Sequence, residues 1–234
     1  MTTLVRHLAK HVARLLAART ARESTVDAWW DRRAREHGAR AVFNLVHTEA
    51  ELDQVTEMQR QTIYPHVRAA LRGDERTALD FGCGPGRFTA DLAKMIQGRA
   101  IGLDTTRAFI EMAPHAEGVE YRPMTAGRIP VGDAEVDFLW VCLVLGGILE
   151  NDVLRRSVDE LNRVLKPGGL LVLVENTSAM ADPAHWRFRS IGAYQRLLAF
   201  AALEHKGDYE DASERISIMI GRKGCTDHGA PTPA

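Results

Sequence analysis

What this sequence has little of narrows its function first. Three cysteines stand in 234 residues, Cys83, Cys142 and Cys225, far apart, with no C-x-x-C pair and no histidine pair at metal-ligand spacing. That argues against a disulfide scaffold and against a cysteine-held zinc, and it predicts reduced thiols in a cytoplasmic protein. No apolar run approaches the ~20 residues that span a bilayer, so no transmembrane segment is predicted. Charge of one sign is missing too: 30 Lys+Arg against 31 Asp+Glu leave a formal net charge of -1. No global field therefore recruits a polyanion. Beyond the first helix no basic stripe carries interleaved aromatics, so no nucleic-acid partner is expected.

What remains is a chain with 45% hydrophobic and 26% charged residues, enough for one main core. Residues 1–75 read as a helical cap or lid. From Met1 to Arg22 stand Arg6, Lys10, Arg14, Arg19 and Arg22 with no acid, and Leu4, Leu8, Val12, Leu15 and Leu16 recur at helical spacing. This amphipathic basic helix accepts several readings: peripheral contact of residues 1–22 with an anionic membrane, a targeting segment, or packing on the main domain as a lid or a homodimer contact. Residues 49–72 continue the helical pattern, and Pro65 within them predicts a kink or a new helix.

From Thr77 the grammar changes. Short β-type runs at 77–81, 100–103, 119–122, 136–142 and 170–175 alternate with helical patterns at 87–96, 106–113 and 151–165. The alternation predicts an α/β fold, a Rossmann-like doubly wound parallel sheet, over residues 76–223. Asn151-Asp152 is the expected helix cap, and the KPGG at 166–169 is expected to stop that helix and reopen a strand. A helix at 190–203 and two strands near 203–209 and 215–222 follow, so closely spaced that they must pair antiparallel. Residues 224–234 read as a disordered tail.

The stretch LDFGCGPGRF, residues 79–88, sits between the first strand and the first helix of this pattern. Gly82 and Gly84 suit positive φ and let a ligand approach the backbone, where open α/β sheets bind nucleotides. A dinucleotide fingerprint needs a small residue at the sixth position, and Arg87 stands there. Asp104, ending the second strand in AIGLD, can accept both hydroxyls of a ribose, or cap Thr105-Thr106. The consequence is an adenosine-type ligand without a pyrophosphate.

Asp80-Phe81-Gly82-Cys83-Gly84-Pro85-Gly86, then Asp104, then EVDFLWVCLVL and RVLKPGGLLVLVE resemble, in order and spacing, the class I S-adenosylmethionine-dependent methyltransferases, particularly the small-molecule group similar to the ubiquinone-biosynthesis type. The resemblance implies a seven-stranded sheet with an antiparallel last strand. It implies S-adenosylmethionine as cofactor, S-adenosylhomocysteine as product, and a small-molecule acceptor. It also implies Asp80 near the methionine amino group, Gly82, Cys83 and Gly84 along methionine and ribose, Asp104 on the ribose and Thr105 on the adenine. Val141 and Cys142 would close the pocket.

Two positions depart from that pattern. Thr125 stands where an acid is usual, its hydroxyl or the backbone of Ala126 being left to meet the adenine amine. Gly146-Gly147 replaces an aromatic or histidine and is expected to make room for a bulky acceptor. From the residues themselves, His185 is the candidate base, with His47, His66 and Glu175 behind it, and Arg60 the candidate partner of the cofactor carboxylate. The rival readings are an NAD-dependent oxidoreductase and a non-catalytic member of the same fold.

Overall fold

A computed structural model describes residues 28–183 and 185–224. Its frame follows from strands apolar on both sides. β1 (Thr77–Phe81) is buried at every position and β4 (Val136–Cys142) at nearly every one, which only a sheet covered on both faces accommodates. With β2 (Arg99–Asp104), β3 (Val119–Pro123), β5 (Leu165–Asn176), β6 (Glu204–Asp211) and β7 (Glu214–Arg222) they form a seven-stranded sheet of order β3-β2-β1-β4-β5-β7-β6. β1 to β5 run parallel, and β7 pairs antiparallel with both β5 and β6. Ala212 and Ser213, both at positive φ, close the β6–β7 hairpin, which suits a type I′ turn. The expected sheet with its antiparallel end is the one observed.

Alternation along each strand divides the core in two. One face carries Ala78, Phe138, Trp140, Val172 and Val174 under α2 (Leu52–Ala70) and α3 (Thr89–Met95). The other carries Leu79, Phe81, Leu139, Val141 and Leu173 under α5 (Asn151–Val164) and α6 (Ile191–Leu197). The first described helix, α1 (residues 28–37), packs through Ala34 and Trp30 on Phe109 of α4 (Arg107–Met112). α1 thereby lies over the carboxyl edge of β1 and β2.

Several local expectations are corrected. Pro65 does not divide α2, which runs unbroken through it, with Ile63, Tyr64 and Val67 around it buried. KPGG is not a turn between helix and strand: β5 begins at Leu165, directly after α5, and runs through it with Leu165 opposite Val136, a register shift and a positive φ at Gly168. The N-cap of α5 is Glu150 rather than Asn151 or Asp152. α6 stops at Leu197, and Ala201 bridges Lys223 at the sheet edge. No described helix is long and apolar enough to cross a membrane. The basic segment 1–22, Cys225 and the rest of the tail lie outside the described residues.

Candidate active site

Reversal of strand order between β1 and β4 opens a crevice at their carboxyl ends, where doubly wound sheets take ligands. A cleft partly open to solvent occupies it. Asp80, Gly82, Cys83, Gly84, Asp104, Thr105, Ala126 and Cys142 line it, together with Trp30, Arg87, Phe109 and Trp140.

Asp104 organises the turn. Its Oδ2 accepts the Gly84 N–H at 2.9 Å and its Oδ1 the Thr106 N–H at 2.8 Å. The loop-capping alternative is the one these bonds display, both carboxylate oxygens being engaged by backbone N–H groups. Gly82 and Gly84 do sit at positive φ. The space beside Gly82, however, is filled by the Val144 side chain, 2.5 Å from where a Cβ would stand, and that beside Gly84 by Val42. These glycines admit neighbouring side chains of the cleft wall as well as a strained turn.

Asp80 is buried and accepts the Thr89 hydroxyl at 2.6 Å. Burial pushes its pKa up to about 7, the nearby Asp104 charge adds to the rise, and Thr89 and Arg87 oppose it. Burial likewise pushes the Cys142 thiol up to about 12 and that of Cys83 higher still, so both are walls rather than nucleophiles. Among the described residues no group of His, Cys, Asp and Glu could hold a metal ion.

Other predicted residues lie off this surface. Val141 belongs to the opposite core, because residues one apart on a strand face opposite ways. Thr125 bridges Arg128 and lines a separate surface depression, with its neighbours Met124 and Ala126 reaching the cleft instead. Arg60 is ion-paired with Asp91 at 2.7 Å and also donates to the Arg87 carbonyl. His185 stacks on Trp29, ring centres 4.7 Å apart at 14°, and does not line the cleft; burial, then the Arg33 charge, lower its pKa. The room beside Gly146 is taken by the protein's own Trp186 indole rather than by an acceptor. Glu175 is wholly buried and accepts the N–H of Val144 at 2.8 Å and of Leu145 at 2.6 Å, with the Tyr194 hydroxyl at 3.2 Å. It holds the loop after β4.

Arg87, Trp140 and Phe109 are cleft residues that the pattern alone did not assign. Arg87 was legible only as a misfit to the dinucleotide fingerprint. Trp140 stands in register with Asp80 on the next strand, and only that pairing turns it toward the cleft.

A sheet of this order, with acids ending β1 and β2 around a glycine turn, defines a nucleotide-binding α/β domain. Residues 79–173 match the family model described as a methyltransferase domain, and the fold is that of solved S-adenosylmethionine-dependent methyltransferases. The uncharacterized methyltransferase YcgJ of Bacillus subtilis is 25% identical over 160 residues, covering 60% of this chain and 62% of that protein. Its crystal structure superposes with a TM-score of 0.61 at 17% identity, covering 70% of this chain and 99% of that one. The O-methyltransferase cnsE of Penicillium expansum is 30% identical over 110 residues, 43% of this chain and 38% of that protein. Geranyl diphosphate C-methyltransferase of Streptomyces coelicolor, solved with S-adenosyl-L-homocysteine, gives a TM-score of 0.63 at 16% identity, covering 86% of this chain and 98% of that one. The chain spans 30%, 38% and 24% of the length of three of the curated relatives it matches.

Proposed function

We propose that this chain transfers the methyl group of S-adenosylmethionine to a small-molecule acceptor. The observation that carries the reading is the cleft at the carboxyl ends of β1, β2 and β4, where the acid ending β2, Asp104, is fastened to the glycine turn at Gly84. The rest of the lining fits the same ligand. Phe109, Met124 and the Ala126 backbone suit an adenine, with Thr105 beside them, and Asp80 suits an ammonium group. Residues 28–75 would serve as the cap, since Trp30 and Val42 already roof the cleft. Cys83 and Cys142 are free thiols, which suits a cytoplasmic location.

Once bound, the sulfonium supplies an activated methyl group whose thioether leaving group needs no protonation. What the protein must add is an acceptor held close and in line, with water kept out. Trp30, Phe109 and Trp140 provide the apolar enclosure. The relatives include enzymes named for O-, N- and C-methylation, which ties neither the fold nor the family to one acceptor atom.

Calorimetric titration with S-adenosylmethionine and S-adenosylhomocysteine tests the reading. Binding of both is expected, with Asp104→Ala weakening it tenfold or more, about 1.4 kcal/mol. An Asp104→Ala protein that binds as tightly as the original, or an original that binds neither, would leave a statement about fold alone.

A further inference from the structure

Two indoles meet one glycine of the loop after β4. Where a side chain on Gly147 would start, Trp186 stands 3.4 Å away and Trp30 3.8 Å away. At Gly146, one position earlier, the Trp186 ring leaves no room for a Cβ at all. Trp30, Val144, Gly147 and Ile148 line the cleft, and Trp186 backs that wall from outside the lining. Roof and wall therefore come close to touching at Gly147. An acceptor has to fit on the glycine-turn side of that approach.

The wall is fastened where it stands. Its carbonyls accept from the segment after β5: Arg189 donates to Leu145 at 2.9 Å and to Ile148 at 3.4 Å, and the Arg187 N–H donates to Gly146 at 2.8 Å. Its N–H groups at Val144 and Leu145 are held by Glu175. Trp186 belongs to that same segment, so the indole and the bonds around it act together on the loop. The indole Nε1 is buried and has no hydrogen-bond partner among the described residues. An unpaired buried donor is a cost that a phenylalanine would avoid. What the indole adds at this place is volume.

We propose that Trp186 is a specificity-determining residue: braced behind Gly146 and Gly147, it holds the wall forward and restricts the acceptor to compact, single-ring molecules. Packed interiors yield poorly to added volume. A fused-ring acceptor has to push the wall against the indole and disturb the Arg187 and Arg189 bonds, whereas a single ring does not. A misfit of this kind in an apolar pocket discriminates by about tenfold to 200-fold. That the occupant is a methyl acceptor rests on the methyl-transfer reading; that the indole limits the space does not.

The probes are p-cresol, a single ring, and 2-naphthol, a fused pair, each carrying one hydroxyl. They are titrated calorimetrically into the wild-type protein, Trp186→Phe and Trp186→Ala, each loaded with S-adenosylhomocysteine and each unloaded. In the loaded wild type p-cresol is expected to bind at least about tenfold more tightly than 2-naphthol. Trp186→Ala, which vacates a ring-sized space, should reverse that order, and Trp186→Phe should fall between. S-adenosylhomocysteine itself should bind all three proteins alike, which certifies that the variants fold. The proposal is overturned if the ratio of the two probes is the same in the wild type and in Trp186→Ala, or if neither probe binds either protein. Should Trp186→Ala lose S-adenosylhomocysteine, the ratio in Trp186→Phe decides. Should the wild type not bind that nucleoside, the methyl-transfer reading fails, and the ratios in the unloaded proteins still decide the role of Trp186.

Discussion

At position 146 a single hydrogen atom makes room for an indole. A Cβ there would collide with Trp186, and the N–H of Arg187, next along, donates to the Gly146 carbonyl at 2.8 Å. Gly146→Ala is therefore expected to destabilise the fold by about 1–3 kcal/mol through overpacking. Trp186→Ala should relieve the clash, so that the double variant is more stable than the sum of the two losses predicts. Urea unfolding of the four proteins measures this, and strict additivity would show that the two positions do not meet. The glycine pair was plain in the sequence, but what fills its space was not. A glycine records only that a side chain is missing, and Trp186 arrives from a loop forty positions later that no periodicity connects to it. His185 poses the same problem: its stacking partner Trp29 belongs to α1. His185→Phe, which keeps a ring on Trp29, is expected to release S-adenosylhomocysteine at the wild-type rate in stopped-flow displacement. His185→Ala should release it several-fold faster. Equal acceleration in both would mean that the imidazole itself, and not the stack, matters.

Among the elements, the loop after β4 depends on Glu175 at the end of β5. Burial pushes that carboxyl up to about 7, against the opposing hydrogen bonds from Val144, Leu145 and Tyr194. The unfolded chain loses this proton near 4.5 while the native chain keeps it to about 7. In that window the native state binds more protons, so stability falls as pH rises. At ~1.4 kcal/mol per pH unit the Glu175 share is about 3 kcal/mol. Asp80, pushed up to about 7 by burial, acts in the same direction. Glu175→Gln retains an acceptor for the two backbone N–H groups and cannot ionise. Urea midpoints at pH 5 and pH 8 should then differ less in the variant than in the wild type; parallel pH dependence would remove Glu175 from the account. β1, β2, β4 and the later part of β5 were legible because each is a continuous apolar run, and the helices α3 to α5 because their apolar residues recur at helical intervals. The start of β5 was not, since Lys166-Pro167-Gly168-Gly169 carries turn chemistry. Pairing of Leu165 with Val136 and the 2.6 Å Lys166–Asp137 ion pair draw it into the sheet instead. Asp80, Gly82, Gly84 and Asp104 announced the cleft because they cluster at strand ends. Arg87 and Trp140 did not, because their place depends on which strands and rings become neighbours.

For the whole molecule, the cleft joins parts that the chain order keeps apart. Its floor is the carboxyl edge of β1, β2 and β4, and its roof comes from Trp30 and Val42 of the segment before α2. Among the described residues the roof meets the body through a small cluster of Ala34, Ala41 and Phe109, the Trp29–His185 stack, the Arg87 guanidinium over the Phe43 ring and the His47–Asp211 contact. A segment anchored by such side-chain contacts, without a strand in the sheet, is expected to open at lower free energy than the sheet does. A ligand touching both floor and roof stabilises the native state by about 2.7 kcal/mol at a hundredfold excess over its Kd. For a chain of this size that corresponds to a rise in Tm of roughly 5–10 °C. Hydrogen exchange locates the gain: with S-adenosylhomocysteine present, amides of residues 82–86 and of residues 28–43 should both slow. Protection confined to residues 82–86 would mean that the ligand is held by the floor alone. The roof would then answer to the acceptor, whose arrival rather than the cofactor's would close the cleft against water.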